Sequence, residues 1–196
     1  MIDLRALFYG LAGAGRLVRL DISGAHMMVG GVRGFWSSLY WGAALVAPLY
    51  LLLIAIRFDP QRFDGLRYLV AHTEMYILAW LAFPILMERI CTFIDRPGNF
   101  LPFIIAYNWL SCLYNMMYLL IGLAQASGMI GWEAASSLSV GFLLASLIWI
   151  GHLAKKILHL PLSAAVGIVV LELFLGIIIS MMTSLIIISG GVQNAG

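Results

Sequence analysis

Two carboxyl groups stand where a carboxyl group is expensive. Glu74 and Glu172 each lie inside an apolar stretch long enough, at about 20 residues, to cross a bilayer. An ionisable side chain at membrane depth costs roughly 2.5–3.5 kcal/mol on insertion scales, so each one needs a reason. Glu74 falls about two turns into its stretch and Glu172 about three turns into its own. The two stretches run in opposite directions, which puts both carboxyls at similar depths. Beyond Glu172, Gly176, Ser180 and Ser184 recur at every fourth residue with Thr183 alongside. That spacing suits close approach of two helices, so it predicts helix packing by Gly176, Ser180 and Ser184 and a Glu172 turned into the packed face. A carboxyl so placed is expected to be hydrogen-bonded or neutral. A second polar stripe, Asn108, Ser111, Cys112 and Asn115, is flanked by Tyr107, Tyr114 and Tyr118. Together these residues predict an intramembrane polar cluster of Glu74, Asn108, Ser111, Asn115 and Glu172. Three chemistries fit such a cluster: hydrogen-bonded joints between helices, a proton or ion path, and a site for a lipid or small ligand.

His152, Lys155, Lys156 and His159 follow at helical spacing and share one predicted face. Ammonium groups between two histidines repel a cation, so no metal is expected there. The same groups suit phosphate oxygens, which points to an anionic lipid headgroup, an acidic partner tail, or simple snorkelling of lysines at a membrane boundary. No catalytic constellation stands out. The chain has no His-Glu-x-x-His helix, no Gly-x-Ser-x-Gly elbow and no Walker loop. Ser111 has no histidine at its predicted depth to act as a base. Glu88 and Arg89 beside Cys91 are expected to pair with each other. Cys91 and Cys112 read as reduced, buried thiols. The expectation is a non-enzymatic protein with no cofactor.

The elements that position these residues follow from composition. Of 196 residues, 63% are hydrophobic and 10% charged, with a mean hydropathy of +1.01. A soluble domain is nearer half apolar and a quarter charged, so most of this chain must face lipid. The net charge of +2 is spread too thinly to track phosphates, which argues against nucleic acid. Apolar windows predict five helical spans: Phe35 to Ile56, Tyr68 to Ile90, Phe100 to Ala126, Ala134 to Leu158, and Pro161 to Ser189. The fold class is an all-α polytopic transmembrane bundle with short loops. Pro48 and Pro84 lie inside two spans, where neighbouring helices can re-satisfy the freed carbonyls.

One side of this bundle would hold Arg5, Arg16, Arg19, Arg33, Arg89, Arg96, Lys155 and Lys156, the other only Arg57, Arg62 and Arg67. That asymmetry predicts a cytoplasmic N-terminus and an external C-terminus. Residues 1–34 are expected to form a cytoplasmic amphipathic segment, residues 35–190 the five-helix membrane domain, and residues 191–196 a short external tail. Arg5, Arg16 and Arg19 interrupt any signal-peptide core. They also share a face opposite Leu4, Leu7, Leu11, Ala14 and Val18. This pattern predicts a helix lying in the membrane interface, with its arginines at anionic headgroups, or a helix that docks on a partner. Asp21 to Gly24 and Gly30 to Gly34 are expected to form a flexible lead-in to the first span.

The Arg96-Pro97-Gly98-Asn99-Phe100 run before the third span, the Tyr107-Asn108-Trp109 triplet and the early Pro48 resemble the Yip1 family of five-span membrane proteins, over about Phe35 to Ser189. The similarity is to its short bacterial members. It implies a non-enzymatic protein of a bacterial inner membrane that assembles with itself or with other membrane proteins. The expected function is therefore a scaffold, assembly or membrane-organisation factor, working through helix–helix and lipid contacts as a homo-oligomer or a subunit of a complex. The alternatives are a small proton- or cation-coupled transporter or channel built on the glutamates, and an accessory subunit of a larger membrane complex.

Overall fold

The computed structural model describes the backbone of residues 4–191 and the side chains through residue 187. The helices are α1 (Leu4–Val18), α2 (Ser23–Met27), α3 (Gly31–Arg57), α4 (Gly65–Phe93), α5 (Phe100–Ala126), α6 (Trp132–Ile157) and α7 (Leu162–Gly191), with a 3-10 turn at Pro97–Asn99 before α5. The described residues contain no strand. Five helices, α3 to α7, are long and apolar enough to cross a membrane. The chain is an integral membrane protein with an all-α polytopic fold. The first span starts earlier than expected, at Gly31 instead of Phe35. The expected tail over 191–196 lies, beyond Gly191, outside the described residues.

α5 is the centre of the bundle. Half of its most apolar window is buried, against 17–28% for the other four spans. It packs on α1, α3, α4 and α6, while α7 closes against α4 and α6. Alternating crossings make α3 and α5 parallel. The basic end of the bundle gathers the starts of α3, α5 and α7 and the ends of α4 and α6; the far end gathers the opposite termini. The main core sits toward the basic end, where Phe83, Met87 and Cys91 of α4 meet Phe103 to Leu110 of α5, Leu153 and Ala154 of α6, and Ile168 of α7. Cys91 and Cys112 are free and buried, as expected.

The tightest seam joins α3 to α5. Gly34, Ser38 and Gly42 recur at every fourth residue and are all buried. A Cβ on Gly42 would meet the Asn108 carbonyl of α5 at 3.6 Å and press on the Trp80 ring of α4 at 2.8 Å, and one on Gly34 would overlap the Val29 carbonyl and meet Ile105 of α5 at 3.1 Å. Small residues let the backbones approach where lipid offers no hydrophobic drive. Tyrosine hydroxyls stitch α3 to α4. Tyr76 donates to the Ala43 carbonyl, Tyr68 to Ile54 at 3.1 Å, and Tyr50 to His72 at 3.1 Å. The first of these falls one residue from Ala44, whose carbonyl loses its helical donor to Pro48.

α1 is docked on the bundle. Its buried positions are Ala6, Gly10, Gly13, Ala14 and Leu17, and the Trp109 ring of α5 fills the space where a Cβ on Gly10 would sit. The expected apolar face of Leu4, Leu7, Leu11, Ala14 and Val18 is therefore only partly the buried one. Leu4 is exposed and Leu7, Leu11 and Val18 are half-buried, because the small residues beside them permit the closer contact. Arg5, Arg16 and Arg19 are exposed. The Trp149 indole donates to the Val18 carbonyl at 3.0 Å, tying the end of α1 to α6. Gly10 is level with a point about 14 Å along α5, and Val18 with one about 12 Å from the end of α6. Similar depths at its middle and at its end mean that α1 lies across the spans. The lead-in expected to be flexible is ordered instead. It forms α2, with Gly24 against the Gly13 backbone, and Gly31 to Gly34 make the first turn of α3. At the α1–α2 corner, hydrogen bonds from Ser23, with Arg16 nearby, hold the Asp21 carboxyl below its ordinary range.

Gly10→Ala is expected to cost about 1–3 kcal/mol, because the indole cannot be displaced cheaply. Gly15→Ala, whose new methyl meets nothing within 4 Å, is expected to be neutral or to stabilise by up to about 1 kcal/mol through helix propensity. Thermal unfolding of both variants in detergent tests the pair, and equal shifts would contradict the docked α1.

Candidate functional site

The predicted cluster is divided by α5 into two unequal sets. Asn108 is almost wholly buried at 1% exposure. It turns to α3, where its Nδ2 donates to Ser38 Oγ at 3.0 Å, and Ser38 in turn donates to the Phe35 carbonyl at 2.8 Å. Asn108 Oδ1 has no protein partner. Asn115 folds back on its own helix and donates to the Ser111 carbonyl at 2.8 Å. These two asparagines serve helix joints, one between α3 and α5 and one within α5.

The other set faces α6 and α7. Glu172, about 15 Å along α7 by helical rise, accepts a hydrogen bond from Tyr107 at 3.4 Å. Leu110, Ser111, Tyr114, Ser146, Trp149, Ile150 and Glu172 line a half-open cleft. Ser146 donates to the Leu143 carbonyl at 2.7 Å, and the Trp149 indole is already committed to Val18. The enclosed space admits about one water-sized group. Glu74 does not line this cleft. It is exposed on α4, which overturns its expected place beside Asn108 and Glu172. The rotation of α4 is set by Tyr68, His72 and Tyr76 turning toward α3, and Glu74 falls on another face.

The helix-packing role expected of Gly176, Ser180 and Ser184 is not realised inside the chain. All three are exposed, and a Cβ on Gly176 would meet nothing within 4 Å. Ser184 instead donates to the Ser180 carbonyl at 3.0 Å. The inward positions of α7 are Ala165, Ile168, Ile179 and Thr183. The small-residue seam that the chain does use, Gly34-Ser38-Gly42, carried the same every-fourth spacing and was legible in the sequence by the same rule.

The basic face also changes. α6 ends at Ile157, and His159 has a φ of 51°, the left-handed conformation common just past a helix end. It therefore leaves the face shared by His152, Lys155 and Lys156. Both lysines are exposed, His159 is exposed beyond them, and His152 is half-buried with its Nε2 unpartnered. The Arg96–Asn99 turn caps this helix end. Arg96 donates to the Leu158 carbonyl at 2.8 Å and Asn99 Nδ2 to the Ile157 carbonyl at 2.8 Å. A guanidinium beside these last carbonyls also complements the negative end of the helix dipole. Glu88 and Arg89 pair at 3.3 Å on the surface, as expected.

No family model matches the chain, and neither does any curated protein or solved structure compared with it. Among the described residues, no group of three or more His, Cys, Asp or Glu side chains is placed to hold a metal ion.

Ser38→Ala is expected to destabilise the bundle by about 1–3 kcal/mol, since it leaves the buried Asn108 amide with no partner. Asn115→Ala, which removes a bond within one helix, is expected to cost about 1 kcal/mol or less. Unfolding in detergent titrated with a denaturing surfactant measures both, and the reverse order would contradict the assignment.

Proposed function

We propose that the protein is a non-enzymatic assembly or membrane-organisation factor, acting through helix–helix and lipid contacts, as a homo-oligomer or a subunit of a larger membrane complex. The observation that carries this reading is the outward Gly176-Ser180-Ser184 stripe. A span that exposes small residues at every fourth position leaves a path for close approach of another helix, and α7 uses other residues for its contacts within the chain. Two further features support it. Asn108 and Asn115 are committed to joints, and Glu74 and Glu172 do not form a pair, so the polar groups within the membrane do not line a continuous path. Toward the basic end, exposed Arg16 and Arg19 on the crossing α1 and Lys155 and Lys156 at the end of α6 can extend to anionic headgroups. We place this end at the cytoplasmic face of a bacterial inner membrane, in keeping with the charge asymmetry and with the resemblance to the Yip1 family.

A second reading, a small proton- or cation-coupled transporter, draws on Glu172 in its half-open cleft. It requires that the purified protein in liposomes moves protons or a cation and that Glu172→Gln stops it.

Gly176→Leu separates assembly from folding. Its side chain enters open space within the chain, so thermal unfolding of the protomer is expected to match the wild type. Association, measured by cross-linking and mass spectrometry of native membranes, is expected to fall about tenfold, which corresponds to about 1.4 kcal/mol. Glu172→Gln is expected to weaken association less. Undiminished association of Gly176→Leu, or equal damage from Glu172→Gln, overturns the assembly reading.

A further inference from the structure

α6 and α7 part company along the membrane. Near the basic end they touch, and a Cβ on Gly151 would meet Val169 at 3.4 Å. Toward the far end α7 leans on α4 instead, where Arg67 Nε donates to the Ile186 carbonyl at 2.7 Å. The far half of α6 is left with Ser136, Ser137, Val140, Gly141 and Leu144 exposed. Ser137, Val140 and Leu144 share the face of α6 that Gly151 turns to α7, so their exposure marks a separation of the two helices, and the Glu172 cleft lies near where it begins.

The chemistry at that vertex is specific. Glu172 has one long hydrogen bond, from Tyr107 at 3.4 Å, and a carboxyl can accept several more. Ser111 and Tyr114 bring hydroxyls to the same cleft, the Trp149 ring lines it, and no lining residue is basic. A carboxylate beside aromatic rings with no competing protein cation is a site for an organic cation. The enclosed space fits a group of water's size, which favours a primary ammonium over a trimethylated head. Three N–H donors of such a head meet the Glu172 carboxylate and the hydroxyls of Ser111 and Tyr114. Glu172 lies about 15 Å along an apolar span, so the rest of a molecule that reaches it must be apolar.

We propose that the α6–α7 crevice binds a long-chain primary amine, with its ammonium on Glu172 and its hydrocarbon chain along the opening between the helices. None of Gly176, Ser180 and Ser184 lines the ammonium cleft, although they follow Glu172 along the same stripe of α7 and border the crevice, so Glu172→Gln separates amine binding from the assembly reading.

Dodecylamine is the probe, measured by equilibrium dialysis of the labelled compound against phosphatidylcholine nanodiscs with and without the full-length protein. The expected result is one saturable site per chain above the background of empty discs. Dodecyltrimethylammonium, whose head is too large, and dodecanol, which lacks the charge, are each expected to compete at least about tenfold more weakly. These comparisons use the wild type alone and do not depend on a variant folding. Glu172→Gln is expected to weaken binding at least about tenfold, with circular dichroism confirming that it folds. Equal uptake by loaded and empty discs overturns the proposal. So does equal competition by the trimethylammonium or the alcohol, or unchanged binding by a folded Glu172→Gln.

Discussion

The bundle depends on how closely α3 can approach α5. In hydrocarbon there is no apolar driving force between helices, because lipid tails solvate leucine as well as another helix does. Association must come from dispersion at short range and from polar groups that have no other partner. Gly34, Ser38 and Gly42 supply the first by removing side-chain bulk from one face of α3. Asn108 supplies the second, since its amide finds Ser38 only at that close distance. Once this pair is set, α5 has its other faces free for α1, α4 and α6, and its large buried fraction follows. Trp109 shows the same logic from the other side: its ring is buried at 2% exposure because Gly10 leaves room for it.

The spans and their number were legible because they depend on composition alone. A bilayer requires about 20 apolar residues per crossing, and the sequence offers five such windows bounded by charges, glycines and prolines. Rotation was much less legible. A helix that is apolar on every side carries little information about which side faces protein, and α7 is such a helix. Its small-residue stripe predicts the packed face, yet the chain packs through Ala165, Ile168, Ile179 and Thr183. α4 misled in a related way. The cost of a carboxyl in lipid argues for an inward Glu74, but three polar aromatic residues on another face of the same helix all turn to α3, and together they outweigh one charge.

Helix ends were partly legible. The Arg96-Pro97-Gly98-Asn99 run marks a break, and proline and glycine make that plain. Its second task, capping the carboxyl end of α6 about 60 residues later in sequence, has no local signature. The cap also explains why His159 leaves the predicted basic face. With the Ile157 and Leu158 carbonyls held by Asn99 and Arg96, the helix stops there, and the following residue turns left-handed before Pro161. α1 belongs to the same class of result. Its arginine face was visible from spacing, while the depth at which it lies is set by Trp109 and Trp149, which are distant in the chain.

Glu172 keeps the prominence that its sequence context suggested, for a different reason. The sequence puts it on the packed face of its span, in line with Gly176, Ser180 and Ser184. Instead it is shielded on one side by Tyr107 and left open on another because α7 leaves α6 to reach α4. That divergence is what α5 permits by occupying the centre: α6 packs on α5, with Ala135, Ser146 and Ile150 buried along it, while α7 is free to cross. A carboxyl placed where two helices separate is neither sealed into the core nor spread against lipid. Its hydrogen-bonding capacity is unfilled by the protein, and the energetic cost of that vacancy in hydrocarbon is a standing bias toward any apolar molecule that carries a donor small enough to reach it.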